Sequence, residues 1–323
     1  MPFASIITPT RGRPALLGRA LASLRRQDFA DWEAVVVDDG DGEGLAAAAA
    51  FDDARVRALP VVGSGMVDAR STAIAAATGE LVCWLDDDDW WEDPRHLSLL
   101  HAEADRDRRF FFRGGFVVHE SDAGVEIERE PYDLDATPES LRSDNTILTS
   151  SIAYARELHE RLGPLDRSLG GYCDWDFMLR MCEAGILPRR LPGLGVAYAV
   201  HPSGSSADFD RPERRRYFER FKAKHGLEIR IANHLLIHAM LSPMAVPDGW
   251  AEVDGALERE FRFGGFPEAI AFVNRVAELA EAENHHPDIA VSYRTVTLRW
   301  RTHSAEAITE RDRDLAGRSA ALA

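Results

Sequence analysis

The sequence predicts an α/β domain built on a mainly parallel sheet, followed by a small α+β domain with an antiparallel sheet. Three observations support this. Short apolar runs alternate with helical patterns over roughly the first 90 residues. Several of those apolar runs end in polar clusters. After about residue 240 the pattern changes to a hairpin, a long amphipathic helix and a strand-like alternation.

Residues 3–8 read as a buried strand, and residues 14–27 as a helix with Pro14 near its start, where a missing N–H is tolerated. Residues 32–37 form a second apolar strand that ends at Asp38, Asp39 and Gly40. A helix over 43–51 and a short strand over 56–61 follow. Residues 66–77 are helical and stop ahead of Gly79, and residues 80–85 are the next strand. This strand–helix alternation predicts a parallel sheet with helices on both faces.

The last of these strands runs directly into four carboxylates, Asp86, Asp87, Asp88 and Asp89. Ligands of open α/β sheets bind beyond the carboxyl ends of the strands. Packed like charges there need a cation, and hard oxygen ligands suit Mg²⁺ or Mn²⁺. A solvated acidic turn is the plainer alternative. Pro9, Thr10 and Arg11 end the first strand and Asp38 and Asp39 the second, so three polar clusters converge on one sheet edge. Asp39 has the chemistry to accept hydrogen bonds from a base or ribose. Arg70, on the preceding helix, suits phosphate neutralisation or the orientation of an aspartate, or is a surface helix arginine.

The 323 residues are enough for two domains, and the formal net charge of -16 argues against a nucleic-acid partner. Cys83, Cys173 and Cys182 match no zinc spacing, which points to free thiols and a cytoplasmic location. No charged segment followed by an apolar one precedes the first strand, so no signal peptide is expected. The apolar stretch 229–246 is broken by Asn233, His234, His238 and Pro243, too polar for a membrane span.

Four segments together resemble the inverting glycosyltransferases of family 2, with the GT-A nucleotide-sugar fold. They are Ser5-Ile-Ile-Thr-Pro-Thr-Arg11, Val35-Val-Val-Asp-Asp-Gly40, Val67-Asp-Ala-Arg70 and Leu85-Asp-Asp-Asp-Asp89, in family order and spacing. The resemblance implies that Asp39 reads the nucleotide base, that Arg70 lies near the nucleotide, and that Pro9, Thr10, Arg11, Asp86 and Asp87 help bind the donor. Asp88 would be the direct metal ligand. Gly170-Gly-Tyr-Cys-Asp-Trp-Asp176 fits the family's acidic motif, with Asp174 at the position of the catalytic base and Cys173 where Glu is common. Asp176 is the better candidate for capping the helix that follows. His201, in Tyr198-Ala-Val-His201, resembles the family histidine that approaches the metal; a plain loop histidine is the alternative. The chain departs from the family at Asp41, usually Ser, and at Ser71, usually Asn. Residues 110–166 are read as loops that carry specificity, without a decodable motif. A charged helix over 211–225 ends the domain.

In the tail, residues 250–253 and 257–263 flank Asp254-Gly255, a strong hairpin turn. Residues 267–283 form an amphipathic helix, its stripe read as Ile270, Val273, Ala277 and Ala280, widened by Phe272, Val276 and Leu279. Residues 289–300 alternate as a strand. Thr309 reads as the N-cap of a last helix, with Asp312 at the third helical position. Gly249-Trp250, Phe261-Arg-Phe263, Phe272-Val-Asn-Arg-Val-Ala-Glu278, His285-His286-Pro287, Tyr293, Thr302-His303 and Asp312 resemble pterin-4a-carbinolamine dehydratase. That family removes water from a 4a-hydroxytetrahydropterin without metal. The resemblance implies acid, base and binding roles for His285, His286 and His303, supported by Tyr293 and Asp312. The family glycine before the last helix is replaced within residues 304–307, which bears on turnover more than on fold.

The expected organisation is a glycosyltransferase domain over 1–228 and a dehydratase-like domain over 229–323. The expected activity is metal-dependent, inverting sugar transfer from a nucleotide-sugar to an unidentified acceptor, for which a pterin is a candidate. The tail is expected to make the chain a homo-oligomer. In the alternative, the tail is a catalytically silent oligomerisation or acceptor-binding module.

Overall fold

A computed structural model describes residues 1–104, 110–121, 124–201, 212–229, 246–283, 285–302, 308 and 310–323. These fall into two compact units, one within residues 1–230 and one within 231–323.

The first unit begins with β1 (Ala4–Thr10), α1 (Pro14–Arg25), β2 (Trp32–Asp38), α2 (Glu43–Ala50), β3 (Val56–Pro60), α3 (Met66–Ala76) and β4 (Leu81–Trp84). These strands pair in parallel in the order β3-β2-β1-β4, with Ala4 beside both Trp32 and Leu81. Every residue of β1 and of β4 is buried, as expected where helices cover both faces of a parallel sheet. The expected alternation therefore holds element by element.

The unit continues through β5 (Trp90–Trp91), α4 (His96–Glu103), β6 (Phe110–Glu120), β7 (Glu126–Tyr132), α5 (Pro138–Leu141), β8 (Ala153–Ala155), α6 (Leu158–Leu162), α7 (Cys173–Glu183), β9 (Arg189–Val200) and α8 (Pro212–His225). The region read as loops thus contains β6, an eleven-residue strand inside the sheet. Its near-continuous apolar run lacks alternation because the strand is buried between neighbours. β8 lies antiparallel between β4 and β6, and β6 runs parallel to β9. Hence β1, β2, β4, β6 and β9 all point the same way. Their carboxyl ends bring Thr10, Asp38, the acidic turn, Glu120 and His201 to one edge of the sheet.

The second unit pairs β10 (Ala251–Val253), β11 (Ala256–Arg262), β12 (Asp288–Ser292) and β13 (Thr295–Trp300) antiparallel in the order β10-β11-β13-β12. It is completed by α9 (Phe266–Glu283) and α10 (Glu310–Ala320). Asp254 and Gly255 both have positive φ, 49° and 71°, the geometry of the two-residue hairpin turn. Two expectations are corrected. The alternation over 289–300 is a second hairpin, turned at Tyr293 with φ 53°; no glycine or proline marks it. The buried stripe of α9 is Ala269, Phe272, Val276 and Ala280, while Ala277 is exposed. Large Phe272 and Val276 fill the space among Leu257, Phe261, Val296, Leu298 and Trp300, and so set the rotation of the helix. Thr309 lies outside the described residues.

Candidate active site

A cleft of about 290 Å³ opens at the shared strand edge. It is lined by Pro9 and Thr10 at the end of β1, Arg11 and Arg13 after it, Asp39 after β2, Gly65 just before α3, and Met66 and Ala69 on α3. Asp86, Asp87 and Asp88 line it after β4, and Tyr198, Ala199 and His201 at the end of β9. The structure therefore brings the three predicted polar clusters together and adds His201.

The four consecutive carboxylates have four different environments. Asp86 accepts from Nη2 of Arg70 at 2.7 and 2.8 Å. Asp87 is fully buried and accepts from the Thr10 hydroxyl at 2.6 Å and from Arg13 at 2.5 Å. Asp88 accepts from the other terminal nitrogen of Arg13 at 2.6 Å. Asp89 points inward to the Ser150 hydroxyl and the Ala199 N–H, tying the acidic turn to β9. Burial pushes the Asp87 carboxyl up to about 7, against the pull of Arg13. It pushes Asp88 up as well, with Arg13 opposing and Asp86 adding to the shift.

Of the Asp38 and Asp39 pair, Asp38 serves the fold: its carboxylate accepts from the Gly40, Gly44 and Leu45 N–H groups and closes the start of α2. Asp39 lines the cleft, held by the Gly65 N–H at 2.8 Å to each oxygen. Gly65 has φ 87°, a conformation that favours glycine.

Arg70 is buried and joins the acidic turn to the start of α7. Beyond Asp86, its Nη1 lies 3.9 Å from the Cys173 sulfur, and its guanidinium sits 4.7 Å from the Trp84 ring centroid. Burial works against its charge, but Asp86, Cys173 and Asp174 together outweigh this and hold the guanidinium protonated. Asp174, 6% exposed, accepts from the Thr149 hydroxyl at 2.8 Å and from the Trp175 N–H at 2.7 Å. Burial pushes its carboxyl above the usual range, opposed by Arg70 and by the Thr149 hydrogen bond. Asp174 is not among the residues lining the cleft; Arg70 lies close to both it and Asp86. The Cys173 thiol is pushed up to about 12 by burial and stays neutral.

Asp176 does not cap α7. The helix starts at Cys173, so Asp176 sits in its fourth position, and the N-cap residue is Tyr172. Its fully buried carboxylate instead binds Arg180, Lys224 and His225 at 3.0, 2.7 and 2.9 Å. Gly170, with φ 53°, shapes the turn before α7; a Cβ there would lie 2.4 Å from the Tyr217 ring of α8.

Two protein groups suit a hard divalent ion here. Asp88 faces the cleft, and so does His201, a residue 9% exposed whose Nε2 has no hydrogen-bond partner among the described residues and lies 3.6 Å from Glu120, leaving Nδ1 for an ion. No group of three ligating side chains occurs among the described residues. The set fits an ion that takes most of its oxygens from a substrate diphosphate and water, as Mg²⁺ commonly does. Sequence reasoning stopped at Arg11 and missed Arg13, Arg19, Glu120, Thr149 and Ser150. A second arginine two positions after Arg11 was the available signal for Arg13; the others become neighbours only in the fold.

In the second unit, Asp312 is fully buried and accepts from the Thr302 N–H at 3.1 Å and its hydroxyl at 2.8 Å. His285 Nε2 lies 2.7 Å from the other Asp312 oxygen, and its ring stacks on Trp300 at 5.7 Å. His286 points away, to exposed Glu281 at 2.9 Å. Tyr293 is 71% exposed at the tip of the β12–β13 hairpin. That is the opposite end of β13 from Thr302, about 20 Å along the strand. His303 lies outside the described residues.

A carboxylate- and arginine-lined cleft at the strand ends of an open α/β sheet lies where domains of this class bind their ligands. The comparisons narrow this. Residues 5–159 match the model of glycosyl transferase family 2, and residues 233–322 that of pterin 4 alpha carbinolamine dehydratase. The chain is 55% identical over 75 residues to a candidate pterin-4-alpha-carbinolamine dehydratase of Thermomicrobium roseum, covering 23% of this chain and 81% of the relative. It is 28% identical over 227 residues to an uncharacterised glycosyltransferase, YwdF, of Bacillus subtilis, covering 69% of this chain and 84% of the relative. The chain thus belongs to the pterin-4a-carbinolamine dehydratase family through its C-terminal part, fused to a family 2 glycosyltransferase domain. Two solved structures share the fold of the first unit. A Pyrobaculum calidifontis mannosyltransferase in complex with GDP-Man and Mn²⁺ aligns with a TM-score of 0.53 and 22% identity, covering 69% of this chain and 64% of its own. Staphylococcus aureus TarS 1–349 in complex with UDP-GlcNAc aligns at 0.51 and 17%, covering 73% and 70%. Among the described residues no helix is long and apolar enough to cross a membrane.

Proposed function

We propose that the first unit is an inverting, divalent-metal-dependent glycosyltransferase that takes a nucleotide-sugar donor. The observation that carries this reading is the convergence of Asp39, Asp86, Asp87, Asp88 and His201 on one cleft at the strand ends. Asp39 accepts from the base or ribose, and Arg11 and Arg13 meet the diphosphate. Asp88 and His201 would hold Mg²⁺ or Mn²⁺, which would supply positive charge to stabilise the departing diphosphate. Asp174 takes the proton of the attacking acceptor hydroxyl, whose oxygen is a poor nucleophile until that proton leaves. Attack opposite the leaving group inverts the anomeric carbon. Arg70 fixes Asp86 on one side and keeps a positive charge beside Asp174 on the other.

The second unit, bounded near residue 229, is proposed as a 4a-hydroxytetrahydropterin dehydratase that also assembles the chain into a homo-oligomer. The pairing of His285 with the buried Asp312 favours a working site over a silent module, since it fixes the imidazole for proton transfer. A pterin is then a candidate acceptor for the first unit. Three unpaired cysteines, two of them buried, agree with a cytoplasmic location.

The test is calorimetric binding of UDP, TDP and GDP, with and without Mn²⁺, to the wild type and to Asp88→Ala. Metal-dependent binding of one nucleotide, lost in the variant, is the expected result and identifies the donor class. Absence of binding to all three would overturn the reading.

A further inference from the structure

Glu120 ends β6 with its side chain 2% exposed, and neither the motifs nor the proposed chemistry uses it. A buried carboxylate needs a partner, and it has Arg19 of α1: Arg19 pairs with one carboxylate oxygen, and its Nη2 donates to the other at 3.1 Å. The same Nη2 donates to the backbone carbonyl of Asp88 at 2.6 Å, and the guanidinium lies 4.0 Å from the Trp90 ring centroid. Arg19 therefore fastens Glu120 to the backbone of the acidic turn. On its far side Glu120 faces His201: Oε2 is 3.6 Å from Nε2, the buried nitrogen that lacks a hydrogen-bond partner among the described residues. The gap is just beyond hydrogen-bond reach, and a modest rotation of the ring closes it.

A metal-bound histidine characteristically donates its second ring N–H to a carboxylate, which fixes the tautomer and the ring plane. Glu120 is the only carboxylate paired with His201 among the described residues. We infer that Glu120 is a positioning residue: it holds the proton on Nε2 of His201 and so presents the Nδ1 lone pair to a divalent cation shared with Asp88. Arg19 couples this arrangement to Asp88. The inference rests on the cleft being a metal–nucleotide site.

The experiment is Mn²⁺ titration followed by electron paramagnetic resonance on the full chain, with UDP, TDP or GDP present. The variants are E120Q, H201A, their combination, and D88A. The expected result is that E120Q weakens Mn²⁺ about tenfold or more, and adds nothing once His201 is replaced. Undiminished affinity in E120Q, with loss in D88A, overturns the inference and leaves the metal site standing. An equal loss from E120Q with and without His201 also overturns it, because the effect then bypasses His201. No Mn²⁺ binding by the wild type removes the site and the inference together. If E120Q does not fold, H201N and H201Q decide. Asn carries a polar atom near the position of Nδ1 and Gln near that of Nε2. Retention of Mn²⁺ by H201N above H201Q is expected, and the reverse order overturns the assignment.

Discussion

Arg70 binds both oxygens of Asp86 through one terminal nitrogen, at 2.7 and 2.8 Å, while its other terminal nitrogen faces the Cys173 sulfur at 3.9 Å. One buried guanidinium thus spans the two acidic segments that the proposed reaction needs. The planar, permanently charged fork can serve two directions at once, which an ammonium point charge cannot. Arg70→Lys is expected to lower kcat by about 10²-fold, the usual effect of losing one fixed donor in such a site. Steady-state transfer or donor hydrolysis measures it; wild-type turnover in Arg70→Lys would remove Arg70 from the mechanism.

Asp174 must be ionised to act as a base, and burial favours its neutral form. The rate should therefore fall with decreasing pH at a point above the ordinary aspartate range. Thr149 donates to the charged carboxylate and opposes the shift. Thr149→Val should move the acid limb of the kcat profile to still higher pH, and Asp174→Asn should cost about 10²–10⁴-fold. A limb unmoved by Thr149→Val would assign it to another group.

Asp176 is a stability residue. Burial alone would raise its carboxyl, but the hydrogen bonds from His225 and Lys224 and the charges of Arg180 and Lys224 together outweigh it and hold the carboxyl below the usual range. Its contribution is therefore full above the unfolded aspartate range and is lost as pH falls through the depressed folded value. Asp176→Ala leaves the buried His225 ring and Arg180 without their carboxylate, while Lys224 keeps Asp166, and should cost about 1–3 kcal/mol. Urea unfolding from about pH 7 down to about pH 2, through the ordinary aspartate value of about 3.9 and below it, is the measurement; a variant as stable as the wild type at neutral pH would contradict it.

In the second unit Asp312 fixes His285 and the Thr302 backbone together. Asp312→Asn keeps the shape but weakens control of the imidazole proton. Dehydration of a 4a-hydroxytetrahydropterin by the full chain should drop by about tenfold or more, part of the usual acid–base contribution. If His286→Ala costs as much as His285→Ala, the inward and outward orientations of the two rings do not decide their roles.

Removing divalent ions bears on the first unit alone. A chelator should abolish nucleotide binding while leaving pterin dehydration unchanged, since the proposed dehydration is proton transfer by His285, which Asp312 orients at 2.7 Å. Calorimetry and a dehydration assay on one preparation separate the two; a chelator-sensitive dehydratase would refute the division.

The strand–helix order of residues 1–84 was legible because each element carries its own periodicity and its own punctuation, from Pro14 to Gly79. The acidic turn was legible too, since four adjacent carboxylates need no folding to be seen. The hairpin at Tyr293 was not legible, because tyrosine at positive φ leaves no mark in the residue pattern. Nor was the rotation of the long tail helix, whose two overlapping stripes differ only in which one meets the sheet. The sequence by itself determined the two domain classes and the cleft residues of the first three polar clusters, because local pattern and strand direction suffice for both. Only the tertiary structure decided which carboxylate meets which cation. Asp86 with Arg70, Asp87 and Asp88 with Arg13, Asp176 with Lys224 and Glu120 with Arg19 join residues from 16 to 101 positions apart. Such pairs arise from the order of strands in a sheet, a long-range property that no local window of residues contains.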